Sequence, residues 1–257
     1  MRLNTTLACV HHDPEGRLRA QAERALPVLW RTFATIVVRV TDVTPEAALA
    51  PLRQAGALIS RAPSEGHLHL GRARREALRL GADAGASHVL FCDFDRILHW
   101  AEFHPAELVS VAGLIAAYDF TILGRTARAF DSHPRAQRDT EAIVNRVFAR
   151  VSGQHWDVTA AARGASVRAA RAILAGCPDE TIGTDVSWPL FLQRTGGFAL
   201  GAIDTEGLEY ETADRFPAEV AAAGGLAAWM ERIDADPREW ALRLEIARLE
   251  VEAMMDR

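Results

Sequence analysis

The chain has 257 residues and a formal net charge of −5. It contains 29 Arg and no Lys. This length suits one large domain or a domain with an appendage. The acidic balance argues against nonspecific nucleic-acid binding, and the lack of Lys excludes a P-loop and a Schiff-base enzyme.

The N-terminal stretch "MRLNTTLACVHHDPEG" reaches charged residues too early for a signal peptide. No apolar run approaches the roughly 20 residues of a membrane span. The three Cys are far apart, which predicts neither a disulfide framework nor a zinc site. We therefore expect a cytoplasmic protein without a transmembrane segment.

Short apolar runs alternate with helical patterns in the first half of the chain. Helical spacing of apolar residues occupies 17–30 and 70–85, and the apolar runs lie at 6–10, 33–40, 57–60, 88–95 and 118–124. This alternation predicts an α/β fold with a largely parallel sheet flanked by helices.

The pattern changes after residue 130. We predict a helix over 135–153 that ends at Gly153, a second over 165–176, a third short helix over 185–197 and a strand over 198–204. The tail from Pro217 predicts two or three helices. The spacing of its apolar residues suits packing on the main domain or, through the C-terminal helices, on a second copy in a homodimer.

Two aspartates, Asp93 and Asp95, follow the apolar run in "HVLFCDFDRILHW". Alternation along an extended strand would place both carboxylates on one side, where they could share a hard cation. Ligands of open α/β sheets also gather beyond the carboxyl ends of the strands. The alternative is a pair of solvated acids at an exposed strand end.

The segment before this strand offers phosphate-binding chemistry. Gly71 permits a tight turn, and Arg72 and Arg75 lie in the first turn of the following helix, near the positive end of its dipole. Farther along, Arg125 follows the strand at 118–124, where it could bind an anionic acceptor or belong to a solvated loop.

The run from Gly71 to Asp95 resembles the G-x-x-x-A-R/N…A…D-x-D stretch of family 2 type glycosyltransferases, which have the GT-A fold. The resemblance implies that Asp93 and Asp95 carry Mg²⁺ or Mn²⁺ bound to the diphosphate of a nucleotide sugar. It also places Asp42 near the family's base- or ribose-contacting acid. The loop "HHDPEGR" replaces the usual P-T-x-N loop.

A second run, "RDTEAIVNRVFARVSGQHWDVTAAARGASVRAARAIL", resembles a segment of polyprenol-phosphate sugar transferases and of glucosyl- or mannosyl-phosphoglycerate synthases. Asp157, Thr159, Arg163 and Arg168 match its D, T, R and R positions, and the first three are implied substrate contacts. Ala161 or Ala162 stands where the pattern has Gly.

The resemblance implies a catalytic domain over 1–215, with a nucleotide-sugar half at about 1–100, an acceptor half at about 101–215, and a helical extension over 216–257. Asp185 occupies the position of the acidic residue of inverting members, which makes it the candidate general base; the alternative is a helix N-cap. Members often add a C-terminal His as a third metal ligand. No His follows His155 here, and Glu211 and Asp214 are the nearest acidic substitutes.

Together these features predict a metal-dependent glycosyltransferase that moves a hexose from a nucleotide diphosphate sugar to a small or lipid-linked acceptor. "VLFCDFDRIL" also resembles the haloacid-dehalogenase phosphatase motif, in which Asp93 would be the nucleophile. That motif normally lies on the first strand and is followed by an Asp pair, which is missing here. A noncatalytic nucleotide-sugar binding protein on the same fold is the third interpretation.

Overall fold

The computed structural model describes residues 2–64 and 66–255. The strands are β1 Leu3–His11, β2 Phe33–Thr41, β3 Leu58–Ala62, β4 His88–Asp93, β5 Phe120–Arg125, β6 Ala162–Ser166 and β7 Leu200–Thr205. The helices are α1 Arg19–Thr32, α2 Glu46–Gln54, α3 Leu70–Asp83, α4 Phe94–Phe103, α5 Pro105–Leu114, α6 Ala127–Asp131, α7 Arg135–Ser152, α8 Val167–Gly176, α9 Thr184–Thr195, α10 Pro217–Ala223, α11 Leu226–Ala235 and α12 Pro237–Met254. Within these described ranges, no helix is long and apolar enough to span a bilayer.

The strands form one mixed sheet in the order β3-β2-β1-β4-β6-β5-β7. β1 pairs in parallel with β2 and β4, β2 with β3, and β5 with β7, whereas β6 runs antiparallel to both β4 and β5. This mostly parallel sheet with helices on its faces confirms the predicted fold class.

A hydrophobic core covers each face of the sheet, because successive side chains of a strand point to opposite faces. In β1, Leu7 and Cys9 face a core with α1, α4 and α5, while Ala8 faces a core with α3, α7, α8 and α9. All three side chains are fully buried. The sheet is thus the middle layer of three.

Two boundaries differ from the sequence prediction around the metal candidates. β4 ends at Asp93, and Asp95 lies in the first turn of α4 rather than on the strand predicted to reach residue 95. Asp93 is the residue at the N-terminal boundary of α4, with extended backbone angles (φ −62°, ψ 144°). The two carboxylates are therefore brought together by a strand-to-helix turn and not by strand alternation.

β6 is missing from the sequence prediction, since "ARGAS" lacks the β-branched and aromatic residues typical of strands. Its small residues have a packing reason. A Cβ on Gly164 would lie only 2.6 Å from the Cβ of Ile115, so the strand lies against that side chain without room for a larger residue. The helix predicted over 165–176 consequently begins two residues later, at Val167.

The other C-terminal predictions can be compared directly. α7 ends before Gly153, whose φ of 76° is the left-handed conformation that Gly adopts easily. The tail forms three helices, and α12 packs on α7 and α9 of the same chain, burying Ala247, Glu250 and Met254. Packing on a second copy stays a prediction.

The contact of α3 with the sheet requires a small residue at Gly81. A Cβ there would lie 2.8 Å from Val89 Cγ1 and 3.0 Å from the Ala8 Cβ. We expect Gly81→Ala to lower the free energy of unfolding by about 1–3 kcal/mol, the usual range for overpacking a core. Chemical denaturation followed by circular dichroism measures it.

Gly113→Ala is the matched control, because Gly113 is also helical and its added Cβ would meet only Leu3 Cδ2, at 3.8 Å. Its stability should stay equal or rise by up to about 1 kcal/mol, the helix-propensity gain of Ala over Gly. Equal stability of the two variants would contradict the packing account.

Candidate functional site

The carboxyl ends of β1, β2 and β4 meet at one edge of the sheet, because these strands are parallel neighbours. A cavity of about 170 Å³ lies there, which we call the edge cavity. Its polar lining comes from strand ends, from the first turn of α4 and from the segment after β7: His11, His12, Arg39, Thr41, Asp93, Asp95 and Arg215. The cavity therefore occupies the position where open α/β sheets bind ligands.

Each aspartate of the edge cavity is paired with one arginine. Asp93 Oδ2 lies 3.4 Å from Arg74 Nη2, and Asp95 Oδ2 lies 3.4 Å from Arg215 Nη1. Asp93 Oδ1 is buried without a hydrogen-bond partner. Burial raises the pKa of Asp93, with the opposing effect of Arg74 and a further rise from Asp95. Two carboxylates, each paired with an arginine, thus line one cavity.

Beneath the cavity lies an ion cluster of Arg74, Asp93, Arg163 and Asp185. Asp185 Oδ1 accepts a 2.6 Å hydrogen bond from Arg74 Nη1 and another from Arg163 Nη2. Arg74 and Arg163 are each 2% exposed and Asp185 is 4% exposed. Two buried guanidinium groups hold this carboxylate, so in this structure Asp185 is a bridge between elements rather than a base facing a solvent-filled cleft.

The C-terminal helix contributes to the same region through Glu250. This side chain is 2% exposed. Burial raises the pKa of Glu250 well above its usual range, and the charges of Asp185 and Glu141 raise it further, against the effect of Arg74. The Glu250 carboxyl of α12 therefore interacts electrostatically with Asp185 and Arg74 of the ion cluster.

The predicted phosphate contacts on α3 lie outside the edge cavity. Arg72 pairs with Glu180 at 2.6 Å on the surface. Arg75 donates to the carbonyl oxygens of Leu174 and Cys177, so it caps the C-terminal end of α8. Gly71 packs on the backbone of the 180–181 loop, and a Cβ there would collide with the Thr181 carbonyl oxygen.

Asp42 follows β2 on an exposed turn, next to Thr41 of the cavity lining. Its Oδ1 accepts a 3.2 Å hydrogen bond from the backbone N–H of Ser64. Asp42 is therefore beside the edge cavity, with one carboxylate oxygen occupied by the loop after β3.

Three further candidates form a buried network of their own. Arg125 donates to Asp157 Oδ2 at 2.7 Å and to Thr159 Oγ1 at 2.8 Å, and its Nη2 lies 2.7 Å from Glu141 Oε2. Burial would raise the pKa of Asp157, but Arg125 and Asn145 hold it well below its usual range. The structure brings the predicted acceptor-half residues together, as partners of one another. Their substrate-binding role stays a prediction.

Sequence reasoning missed Arg74 and Arg215. Arg74 shares the inner face of α3 with Ala77, Leu78 and Gly81, all of them buried. The helical spacing of these small and apolar residues could therefore have indicated that Arg74 faces the interior. Arg215 lies in a short 3-10 turn after β7. Its position in the edge cavity depends on long-range packing, and no local pattern indicates it.

The proposed acidic substitutes for a third metal ligand have other partners. Asp214 Oδ2 accepts from Gln21 Nε2 at 2.6 Å and lies 2.7 Å from His99 Nδ1, and Glu211 lies 3.5 Å from Arg96. In the part of the chain that the structure describes, no three His, Cys, Asp or Glu side chains are arranged to hold a metal ion. Asp93 and Asp95 are the carboxylates in the lining of the edge cavity.

These two residues nevertheless suit a hard divalent cation. Asp93 offers a buried oxygen without a partner, and Asp95 adds a second carboxylate at the same cavity. Mg²⁺ is commonly bound by one or two carboxylates together with substrate phosphates and water, not by a complete protein cage. The donor set fits that mode of binding.

Comparison with solved structures defines the class of the fold: it is the GT-A fold of glycosyltransferases. No family model and no curated protein matches the chain. The sequence identities to the similar structures are low, so the likeness concerns the fold.

The similar structures include several of glucosyl-3-phosphoglycerate synthase from Mycobacterium tuberculosis. The complex with Mn²⁺, UDP and phosphoglyceric acid has a TM-score of 0.54 at 14% identity, covering 88% of this chain and 78% of the other. The complex with phosphoglyceric acid alone gives 0.55 at 14% identity (89% and 79%), and that with Mg²⁺ and UDP gives 0.52 at 12% (89% and 78%).

The ion cluster predicts a large difference between two arginines of α3. Arg74→Met removes the buried cation that pairs with Asp93 and leaves Asp185 with Arg163 alone, and we expect the free energy of unfolding to fall by about 3–5 kcal/mol. Urea denaturation measures it.

Arg72→Met is the matched control on the same helix. Its pair with Glu180 is about half exposed on both sides, so the expected loss is at most about 1 kcal/mol. A loss for Arg72→Met as large as that for Arg74→Met would contradict the assignment of the cluster.

Proposed function

We propose that the protein is a glycosyltransferase that moves a hexose from a nucleotide diphosphate sugar to a small or lipid-linked acceptor. The observation that carries the proposal is the edge cavity, in which two carboxylates and two arginines line the carboxyl ends of β1, β2 and β4. The GT-A fold agrees with it. The similar structures include complexes with UDP-glucose and with UDP.

In this proposal Asp93 and Asp95 hold Mg²⁺ or Mn²⁺. When bound, the cation would neutralise negative charge on the leaving diphosphate. Its protein contacts would be the unpartnered Oδ1 of Asp93 and the carboxylate of Asp95, with the diphosphate and water completing its shell. Three solved neighbours, among them complexes with Mn²⁺ and with Mg²⁺, support a metal at this kind of site.

Arg215 and Arg39 would supply fixed positive charge at the same cavity. Arg215 Nη2 donates to the His12 carbonyl oxygen at 3.1 Å, and Arg39 donates to the Pro63 carbonyl oxygen at 2.9 Å, so both guanidinium groups are already positioned. A preorganised cation stabilises developing charge without reorganisation during the reaction. These two arginines take the role that the sequence had suggested for Arg72 and Arg75.

We assign no proton transfer to Asp185, because the side chain is buried and its Oδ1 already accepts from two buried arginines. An inverting reaction would need a different base at the acceptor hydroxyl. The phosphatase interpretation receives no support, since the D-x-D strand is the fourth along the chain and lies inside the sheet between β1 and β6.

The proposal predicts that the edge-cavity carboxylates control metal-dependent donor binding. Asp93→Asn and Asp95→Asn should each weaken Mn²⁺-dependent binding of a nucleotide sugar by at least tenfold, because each removes an anionic ligand. Isothermal titration with UDP-, GDP- and ADP-glucose, with and without Mn²⁺, measures the effect. Thermal melts confirm folding.

Asp83→Asn is the matched control, since Asp83 pairs with Arg79 on the exposed face of α3. Its donor affinity should equal that of the unmodified protein. Unchanged binding in both edge-cavity variants, or no response to any of the three donors, would refute the proposed function.

A further inference from the structure

A second cavity, of about 220 Å³, lies between the helical extension and α7. We call it the aromatic cavity, and the residues used below to define it are Gln137, Tyr210, Phe216, Trp229, Glu239 and Arg243. None of the candidates predicted from sequence belongs to it. It is formed where α11 and α12 return to the main domain after β7.

Three aromatic rings form one wall of this cavity. The Trp229 ring centroid lies 6.1 Å from that of Tyr210 and 5.9 Å from that of Phe216, with interplanar angles of 36° and 33°. Tyr210 is buried, and Trp229 and Phe216 are half-buried. Neighbouring rings inclined in this way offer a broad apolar surface to a flat ligand.

The polar part of the lining carries no net charge. Glu239 and Arg243 lie four residues apart on α12 and have opposite signs, and Arg243 Nη1 is 4.0 Å from Glu141 Oε1. Gln137 donates to the same Glu141 carboxylate at 2.8 Å. The cavity therefore offers hydrogen-bonding groups of both kinds but no surplus of cations for a phosphate or carboxylate ligand.

The aromatic cavity adjoins the edge cavity through consecutive residues. Arg215 lines the edge cavity and Phe216 lines the aromatic one. The Arg17 guanidinium lies over the Phe216 ring at 4.6 Å and donates to the Arg215 carbonyl oxygen, and the next residue, Leu18, also lines the edge cavity. The linings of the two cavities therefore meet at residues 215 and 216.

We propose that the aromatic cavity is the acceptor subsite and that it takes a neutral ring-shaped polyhydroxyl compound, such as a sugar or a cyclitol. A sugar ring has an apolar face of C–H groups, which suits the aromatic wall, and a rim of hydroxyls, which suits Gln137, Glu239 and Arg243. The volume lies below the roughly 300–1,000 Å³ of drug-sized pockets, so it admits one ring and not a lipid chain.

This inference rests on the proposed function and refines its acceptor. An anionic acceptor would need a surplus of cations, whereas the cavity's Arg243 faces Glu141 at 4.0 Å and shares the lining with Glu239. Some of the similar structures contain phosphoglyceric acid. The cavity therefore points to an acceptor different in charge from theirs.

Two measurements test the acceptor subsite. The first is saturation-transfer NMR, which detects binding of each probe to the protein in the absence of a nucleotide sugar. The probes are methyl glucoside, methyl mannoside, myo-inositol and 3-phosphoglycerate. Nucleotide release from the donor that binds best is then followed with each probe. We expect at least one neutral probe to bind and to accelerate release at least tenfold over water alone, and 3-phosphoglycerate to do neither.

Trp229→Ala should abolish this acceleration and the neutral probe's NMR signal, and a thermal melt confirms its folding. Trp229→Phe keeps an aromatic ring and should retain most of the acceleration. Trp30→Ala, at the end of α1, is the control for loss of a half-buried Trp outside the cavity and should behave like the unmodified protein.

The inference is overturned if no neutral probe binds, if 3-phosphoglycerate alone accelerates release, or if Trp229→Ala retains the neutral probe's effect. Failure of the proposed function has a separate signature. In that case no nucleotide sugar binds, whereas neutral probes still give Trp229-dependent NMR signals.

Discussion

The ionic contact of Arg74 with Asp93 and Asp185 is the interaction on which the site depends. It joins α3, the end of β4 and the start of α9, and Arg163 adds β6 through the same Asp185 oxygen. Buried charges are costly unless each has a partner, so these elements are stable together rather than singly. The position of Asp93 at the edge cavity is consequently set by four elements that are distant in sequence.

The pairing of buried arginines also limits which arginines line the two cavities. Arg74 and Arg163 pair with Asp185 inside the molecule. Arg125 pairs with Glu141 and Asp157. Arg39 and Arg215, both held by backbone carbonyl oxygens, line the edge cavity, and Arg243 lines the aromatic cavity. Each cavity thus combines arginines with carboxylates: Arg39 and Arg215 with Asp93 and Asp95 at the edge cavity, and Arg243 with Glu239 at the aromatic cavity.

The fold class and the location of the D-x-D motif could be predicted because they depend on local periodicity. The partners of each arginine could not, since only two positions on α3 separate surface Arg72 from buried Arg74. Near Ala161 the resemblance predicts a Gly. The structure gives Ala161 a φ of 54°, a conformation that costs a non-Gly residue roughly 1–2 kcal/mol. The aromatic cavity needed α11 and α12 to be placed against α7, which no motif indicated.

The central claim is that the edge cavity holds a divalent cation and the diphosphate of a nucleotide sugar. The most direct measurement is a crystal structure of the protein grown with Mn²⁺ and its best-binding nucleotide sugar, with anomalous diffraction recorded at the manganese edge. The account predicts one anomalous peak within coordination distance of Asp93 or Asp95 and of both phosphates. A nucleotide bound away from the ends of β1, β2 and β4, or a manganese peak without contact to either aspartate, would contradict it.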